Sequence, residues 1–512
     1  MHLTGHLRTL ITITLLTLLV APVWAQKKVR LKSADVAKSG RLPNGDRFER
    51  AIGDVVFTQN KTTIYCDSAH IFKKKNSLNA FGKIRITEGD SVTITGRRLE
   101  YDGNKRQAKL RGNVVFTKLG TATLYTDNLD FLRGSNIAYY FDGGKLVDSA
   151  NVLTSRKGYY NLANNIASFK QNVKVVNPDH TMYADSLRYN SSTKIIHFVS
   201  RTTVVDKDSS TFVYESGVHH TTTKVSVFKE GTAETEEYVV TGDRYDVDAA
   251  RNIAKVRGNV VMRHKREDLI IYGQASDYYK NIGVTKIYNN AYIAKVTDTD
   301  TLFIRADTLT SINNADSTQR RLLAFHNVRI FKSDLQGKAD SLEYRWSDST
   351  IYFYNQPVLW SAGNQLTADS IRMIVRNNTV SRIYMITNAF VVSMDTLGNF
   401  NQIRGRKMTA DLRESKLSRV FVEGNGESLY YLLDDKTKLL MGVNKILCSN
   451  ITIRFRQGRV HTLSFYVKPE GRFIPPHEIK KDELTLKGFS WKSGERPTRS
   501  QVVPSAADSG SH

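Results

Sequence analysis

One short phrase recurs along almost the whole chain, and it constrains the fold more than any bulk property does. It opens with Gly or a polar residue, continues with Asn or Asp, and runs into alternating apolar residues. Gly53-Asp54-Val55-Val56-Phe57-Thr58, Gly112-Asn113-Val114-Val115-Phe116-Thr117 and Gly258-Asn259-Val260-Val261-Met262 are its clear copies. Gly82-Lys83-Ile84-Arg85-Ile86, Gln171-Asn172-Val173-Lys174-Val175 and His326-Asn327-Val328-Arg329-Ile330 are looser, and Asn290, Gln356 and Asn388 open three more. Adjacent copies lie roughly 30 to 40 residues apart, a period that belongs to repeat architectures.

A second phrase follows the first after a turn. It reads Ala-Asp-Ser-Leu-x-Tyr at 184–189 and 339–344, with relatives at 66–71, 126–131, 306–309 and 368–371. Turn clusters such as Asp102-Gly103-Asn104 and Asp142-Gly143-Gly144 separate the phrases. The segments are rich in Val, Ile, Thr, Tyr and Phe and alternate with period two, so helix is excluded apart from the N-terminal leader and a turn near 476–482. Each repeat is expected to hold about three strands of the usual 5–8 residues.

Period two also assigns a face to each side chain. The first and third positions after the Asn are apolar in every copy: Val55 and Phe57, Ile84 and Ile86, Val114 and Phe116, Val173 and Val175. The series continues with Val260 and Met262, Ala291 and Ile293, Val328 and Ile330, Leu359, and Ala389 and Val391. The intervening position tolerates Arg85, Lys174, Tyr292, Arg329 or Phe390. One face therefore belongs to an interior and the other is permissive, as in antiparallel sheets with one wet side.

The reading is an all-β chain, an elongated antiparallel β-jelly roll built from these repeats and arranged as two stacked modules. The repeat weakens between about Asp206 and Val240, around an acidic stretch at 230–237. The expected divisions are a signal peptide at 1–25, a leading segment at 26–50, rolls at 51–230 and 231–470, and a C-terminal segment at 471–512 with a disordered tail. Leu486-Lys487-Gly488-Phe489-Ser490-Trp491 in that last segment either docks a partner or folds back on the last strands.

The leader settles the expected compartment. Arg8 precedes an apolar and Thr stretch from Thr9 to Val20, Pro22 breaks it, and Val23-Trp24-Ala25 supplies small residues at −3 and −1 of a cleavage site. That stretch is too short for a membrane span, and Gln26 instead of Cys argues against a lipid-anchored mature end. An exported, periplasmic protein follows, associated at most with the outer membrane. Export changes the meaning of the formal charge of +24. Nucleic acid is set aside as a partner, and phosphorylated lipids, membrane surfaces and acidic polysaccharides remain.

No chemistry stands out. The recurring Asp67, Asp127, Asp185, Asp277, Asp307, Asp340, Asp369 and Asp411 come once per repeat, without the dense spacing of a calcium loop. Arg97 replaces the Asp in one copy, so a structural role at a strand corner is expected. His219-His220 lacks companion ligands, and no nucleophile elbow or phosphate loop appears. Catalytic residues, metals and cofactors are therefore expected to be none. Cys66 and Cys448 read as buried thiols, and Lys73-Lys74-Lys75 as a solvated hairpin turn.

Residues 53–205 carry a family resemblance. Cys66-Asp67-Ser68-Ala69, Ala80-Phe81-Gly82, Glu88-Gly89-Asp90, Leu99-Glu100-Tyr101-Asp102-Gly103 and Leu110-Arg111-Gly112-Asn113-Val114 are similar to the OstA-like family of lipopolysaccharide-transport proteins, most of all its long Bacteroidota members. Ala138-Tyr139-Tyr140 and the run Leu153-Thr154-Ser155-Arg156-Lys157-Gly158-Tyr159-Tyr160 belong to the same likeness, which loosens towards Leu463. The resemblance implies a β-jelly roll whose interior holds the acyl chains of lipid A. It also implies partners among other jelly-roll proteins of the pathway at the inner and outer membranes, or head-to-tail self-association. The expected function is a lipopolysaccharide carrier or bridge supporting outer-membrane assembly. Two alternatives differ in kind: a structural adhesin or glycan-binding envelope protein with a filled interior, and a polysaccharide hydrolase with paired carboxylates.

Overall fold

A computed structural model of the chain describes residues 28–504 apart from residues 91, 119–121, 150, 208, 297–299, 377–378, 414–415, 435 and 457–458. The expected signal peptide and the end of the C-terminal tail lie outside the described residues. Strands dominate, and every register among them is antiparallel, for example Val55↔Cys66, Ile84↔Gly96 and Val328↔Ala339. The helical elements are isolated turns, among them Lys73–Lys75, Pro476–Glu478 and Arg499–Val502. Among the described residues no helix is long and apolar enough to cross a membrane.

The chain forms two compact units, one ending at Ser200 and the other beginning at Arg201. The acidic stretch expected near the boundary lies inside the second unit. There Val225–Glu234 pairs with both Thr211–His220 and Tyr238–Asp248, so the stretch is a strand end and its hairpin. The leading segment at 26–50 is likewise part of the first unit's sheet: Arg30–Ser33 and Val36–Arg41 pair with opposite halves of Arg47–Gln59.

Strands in the first unit are about twice the expected length. Arg47–Gln59, Thr62–Phe72, Ser77–Glu88, Val92–Asp102, Gln107–Lys118 and Ala122–Leu132 follow one another as a meander, each 11 to 13 residues long. A repeat is thus one long hairpin and not three short strands. The recurring phrase explains why. At Gly53-Asp54 the register slips, so that two residues oppose one between Ile52↔Ser68 and Val55↔Cys66. The same bulge recurs at Gly82, at Gly112-Asn113 and at Gln171-Asn172. Gly53 and Asp54 have φ of 80° and 35°, Gly112 and Asn113 79° and 47°, Gln171 and Asn172 67° and 55°. Consecutive left-handed residues are sterically costly except for Gly and, to a lesser degree, Asn and Asp, which is what the phrase supplies. A bulge bends the strand without ending its ladder.

Each long strand therefore serves two leaves. The front leaf of the first unit contains the segments 55–59, 62–66, 84–88, 92–96, 114–118 and 122–126, and the back leaf contains 47–52, 68–72, 77–81, 98–102, 107–111 and 128–132. Further on, the bent strand splits in two: Ile137–Tyr140 continues the back leaf and Gly144–Val147 the front one. The leaves meet at the bulged corners and part at the hairpin tips, so the unit is closed along one side and has a mouth along the other.

The second unit uses the same corner. Asn289-Asn290, His326-Asn327, Asn355-Gln356 and Thr387-Asn388 all have positive φ at both residues. Its late strands lengthen to Lys416–Leu433 and Leu440–Arg456. After Glu470–Ile474 the chain turns back across the outer face of this unit, and an apolar cluster of Phe390, Val392, Leu429, Tyr431, Val443 and Ile474 closes over Leu486.

Candidate lipid-binding interior and its mouth

Fourteen of the fifteen residues assigned to the interior are buried. In the first unit Val55, Phe57, Ile84, Ile86, Val114, Phe116, Val173 and Val175 are each at most 7% exposed, and in the second Val260, Met262, Ile293, Val328, Ile330 and Leu359 at most 5%. Val391 is the exception. It is half-buried, while its neighbours Phe390 and Val392 are buried against the returning C-terminal segment, with the Phe390 and Phe489 rings 6.5 Å apart. The permissive face is covered there, so the alternation points the wrong way.

All eight interior residues predicted in the first unit lie on the front leaf. The opposing wall was missed: Leu78, Leu99, Leu110, Leu129, Phe169 and Leu187 are each at most 2% exposed and belong to the back leaf. A signal for them was present. The residue two places before each corner, such as Ala51, Ala80, Leu110 and Phe169, is apolar and buried.

The recurring Asp residues pack on the corners. Asp127 accepts the Asn113 backbone N–H at 3.0 Å, and Asp307, Asp340 and Asp369 accept Asn327, Asn355 and Asn388 side-chain amides at 2.8, 3.1 and 3.0 Å. A Cβ at Gly82 would fall 2.1 Å from Asp67 Oδ2, and one at Gly112 would fall 3.2 Å from Arg97 Cβ, so Arg97 occupies the Asp place as its position implies. Two members of the set act elsewhere: Asp277 pairs with Arg257 at 2.6 Å, and Asp411 bridges Arg382 and Arg419 at 2.6 and 2.7 Å. Asp185 meets its neighbour Ser186 at 3.3 Å. His219 shares a 2.8 Å hydrogen bond with Ser226, while His220 accepts the Thr223 N–H. Both cysteines are free; Cys66 is buried, which pushes its thiol up to about 11, and Cys448 is half-buried. Lys73 and Lys75 form the exposed turn expected, paired with Glu49 and Asp46.

Along the mouth of the first unit the leaves are tied by polar contacts. Gln59 Oε1, on the front leaf, accepts Tyr101 Oη at 2.5 Å and Arg133 at 3.3 Å from the back leaf, and Arg133 also meets Glu88 at 3.3 Å. Farther along, Lys118 donates to Asn165, and Tyr189 Oη donates to Asp148 at 2.7 Å. Burial and the neighbouring Asp148 carboxylate push the Tyr189 hydroxyl well above its ordinary value. Two clefts lie under these ties. One, a narrow crevice of about 40 Å³, is walled by Ile64, Ile86, Ile94, Leu99 and Phe131. The other, of about 30 Å³, is walled by Phe116, Leu124, Tyr140, Phe169 and Tyr189.

The C-terminal segment is held by three glutamines on the outer face of the second unit. Gln402 donates to Leu484 O at 2.9 Å and accepts Leu486 N–H at 2.8 Å; Gln365 donates to Ser490 O and accepts Lys492 N–H, both at 2.7 Å. Gln336 accepts Arg496 Nε at 2.7 Å. All three are at most 3% exposed. Folding back is therefore the outcome of the two left open by the sequence.

Residues 26–185 match the family described as OstA-like protein. This part of the chain is similar to that family. The OstA-like stretch lies in the first unit and takes in both walls of its clefts up to Phe169. A crystal structure of LptH, the LptA-homologous periplasmic component of the conserved lipopolysaccharide transport device from Pseudomonas aeruginosa, is similar at 18% identity over 22% of this chain and 78% of that one, with a TM-score of 0.19. A search of curated proteins returns no match.

Proposed function

We propose that the chain is a periplasmic lipopolysaccharide-binding carrier or bridge, which shields lipid A acyl chains on their way to the outer membrane and works by binding, without a chemical step. The observation that carries this reading is the pair of apolar clefts in the OstA-like part, open along a mouth whose lip holds Arg106, Arg133 and Lys118. Each CH₂ moved from an apolar site into water costs about 0.8 kcal/mol, so one acyl chain of ordinary length costs roughly 10 kcal/mol. An apolar wall beside an aqueous lip removes that cost while the cationic lip meets phosphate. The fifteen interior candidates, on both units, are the residues expected to line the path, with the back-leaf residues as their counterpart. Partners are expected among jelly-roll proteins of the same pathway, or further copies of the chain, meeting open sheet edges.

Photocrosslinking in living cells tests the reading, with the probe at Phe116, which is buried, and at Lys174, which is exposed. Lipopolysaccharide adducts at Phe116 and at Ile330 but not at Lys174 are expected. Adducts at none of the three positions in a folded, exported protein would replace the carrier with the structural adhesin.

A further inference from the structure

The tie across the first cleft has the composition of a head-group site. Arg133 is largely buried, with its side chain 14% exposed, and its guanidinium is shared between Gln59 and Glu88 at 3.3 Å each. Both distances are long for charge-assisted hydrogen bonds, which lie near 2.7–2.9 Å. Arg106 lies on the same lip, its carbonyl accepting the Arg133 N–H at 2.9 Å. Thr62 Oγ1 is buried in the same cleft with no hydrogen-bond partner. Below them the walls are aliphatic and aromatic. Two cations, a buried hydroxyl without a partner and an apolar floor at the edge of one cleft describe an anionic head above a hydrocarbon tail.

Resting on the carrier reading, we propose that Gln59, Thr62, Arg106 and Arg133 form a head-group site for a phosphorylated amphiphile. In this site Glu88 is the built-in competitor: it holds Arg133 across the mouth while no ligand is bound. An arriving phosphate takes the guanidinium from Glu88 and breaks that one contact between the leaves, leaving Tyr101 on Gln59. The tail then enters sideways, through the mouth. Selectivity follows from the exchange. A neutral amphiphile has nothing to offer Arg133 and must part the leaves against the intact tie, while an anionic one replaces the contact it breaks.

The test compares two probes of equal tail, dodecyl phosphate and dodecanol, binding to the full mature chain. Two substitutions are used, Arg133→Gln and Glu88→Gln, with circular dichroism as the check on folding. Arg133→Gln is expected to weaken dodecyl phosphate by about tenfold and leave dodecanol unchanged or faster to bind, about the effect of losing one charge-assisted hydrogen bond. Glu88→Gln is expected to tighten dodecyl phosphate severalfold by removing the competitor. The ratio of the two probes is the readout, so a general loosening of the sheet, which moves both together, does not imitate the result. A wild-type chain that binds both probes, with a ratio that neither substitution changes, overturns the head-group site and leaves the carrier reading standing. A wild-type chain that binds neither probe overturns both.

Discussion

The outward faces of the two units meet different surroundings. In the first, Tyr125 and Tyr183 are each 46% exposed, and Lys174 stands over the Tyr183 ring in water. In the second, the outward Trp360, Gln365, Val392 and Gln402 are buried under the chain's own C-terminal segment. The same corner phrase builds both sheets, so the phrase sets how a strand bends and not what covers it. Alternation identifies an interior only where the other face is bare. Where a segment crosses outside, as at Val358, Leu359 and Trp360, three consecutive residues are buried and the period disappears.

Removing one glutamine should break that comparison most sharply. Gln402→Ala leaves the Leu484 carbonyl and the Leu486 N–H without partners beneath a closed apolar cluster. Each orphaned group costs about 1–3 kcal/mol, so a loss of roughly 3 kcal/mol is expected. Lys174→Ala, on the bare face, should stay within about 0.5 kcal/mol. Tryptophan fluorescence in urea separates the units, because apart from Trp24 the chain's tryptophans are Trp346, Trp360 and Trp491, all in the second. An unchanged fluorescence midpoint for Gln402→Ala would mean that the segment adds nothing to the unit it crosses.

A glycine corner carries the next effect, and it belongs to the first unit. Gly82 has φ of 74°, and a Cβ there would meet the Asp67 carboxylate at 2.1 Å. Gly82→Ala should therefore cost about 2–3 kcal/mol, part from the left-handed backbone and part from displacing Asp67. Adding Asp67→Ala should return the second part, a coupling expected only between groups in contact. Unfolding followed by circular dichroism should show the loss while the fluorescence midpoint holds. Simple additivity of the two substitutions would deny that Asp67 packs on this corner.

These corners also show how much was legible beforehand. Gly53-Asp54, Gly112-Asn113 and His326-Asn327 stand out because few residue types adopt consecutive left-handed conformations, so chemistry there leaves a narrow choice. The inward Val and Ile after them are legible for the same reason: next to the corners, the inward face of the front leaf is apolar, with polar residues only at the hairpin tips. The back leaf was passed over because Leu110 or Phe169 precedes its corner, where attention to the opening residue of the phrase does not reach. The mouth was not legible at all. Gln59, Arg133 and Tyr101 lie far apart along the chain and carry no pattern; only the bend of each long strand brings their hairpin tips together. The glutamines that hold the C-terminal segment are silent too, since one buried Gln on a permissive face looks like any solvated one.

The smallest effect compares corners across the units. Gly82 fills the first left-handed position at one corner of the first unit, and Thr387 fills it at one corner of the second, with φ of 62° and its side chain exposed. A β-branched residue in that conformation is strained by about 1–2 kcal/mol, while Gly gives back about 0.5–1 kcal/mol through its freer unfolded chain. Thr387→Gly should therefore stabilise the second unit by up to about 1 kcal/mol, read as a higher urea midpoint by tryptophan fluorescence. Thr387→Ala, which keeps a Cβ, should give less than half of that gain. If Gly and Ala stabilise equally, the strain comes from branching and not from the Cβ itself. The corner at Thr387 would then tolerate any unbranched residue, in contrast to Gly82, where the carboxylate of Asp67 excludes every side chain.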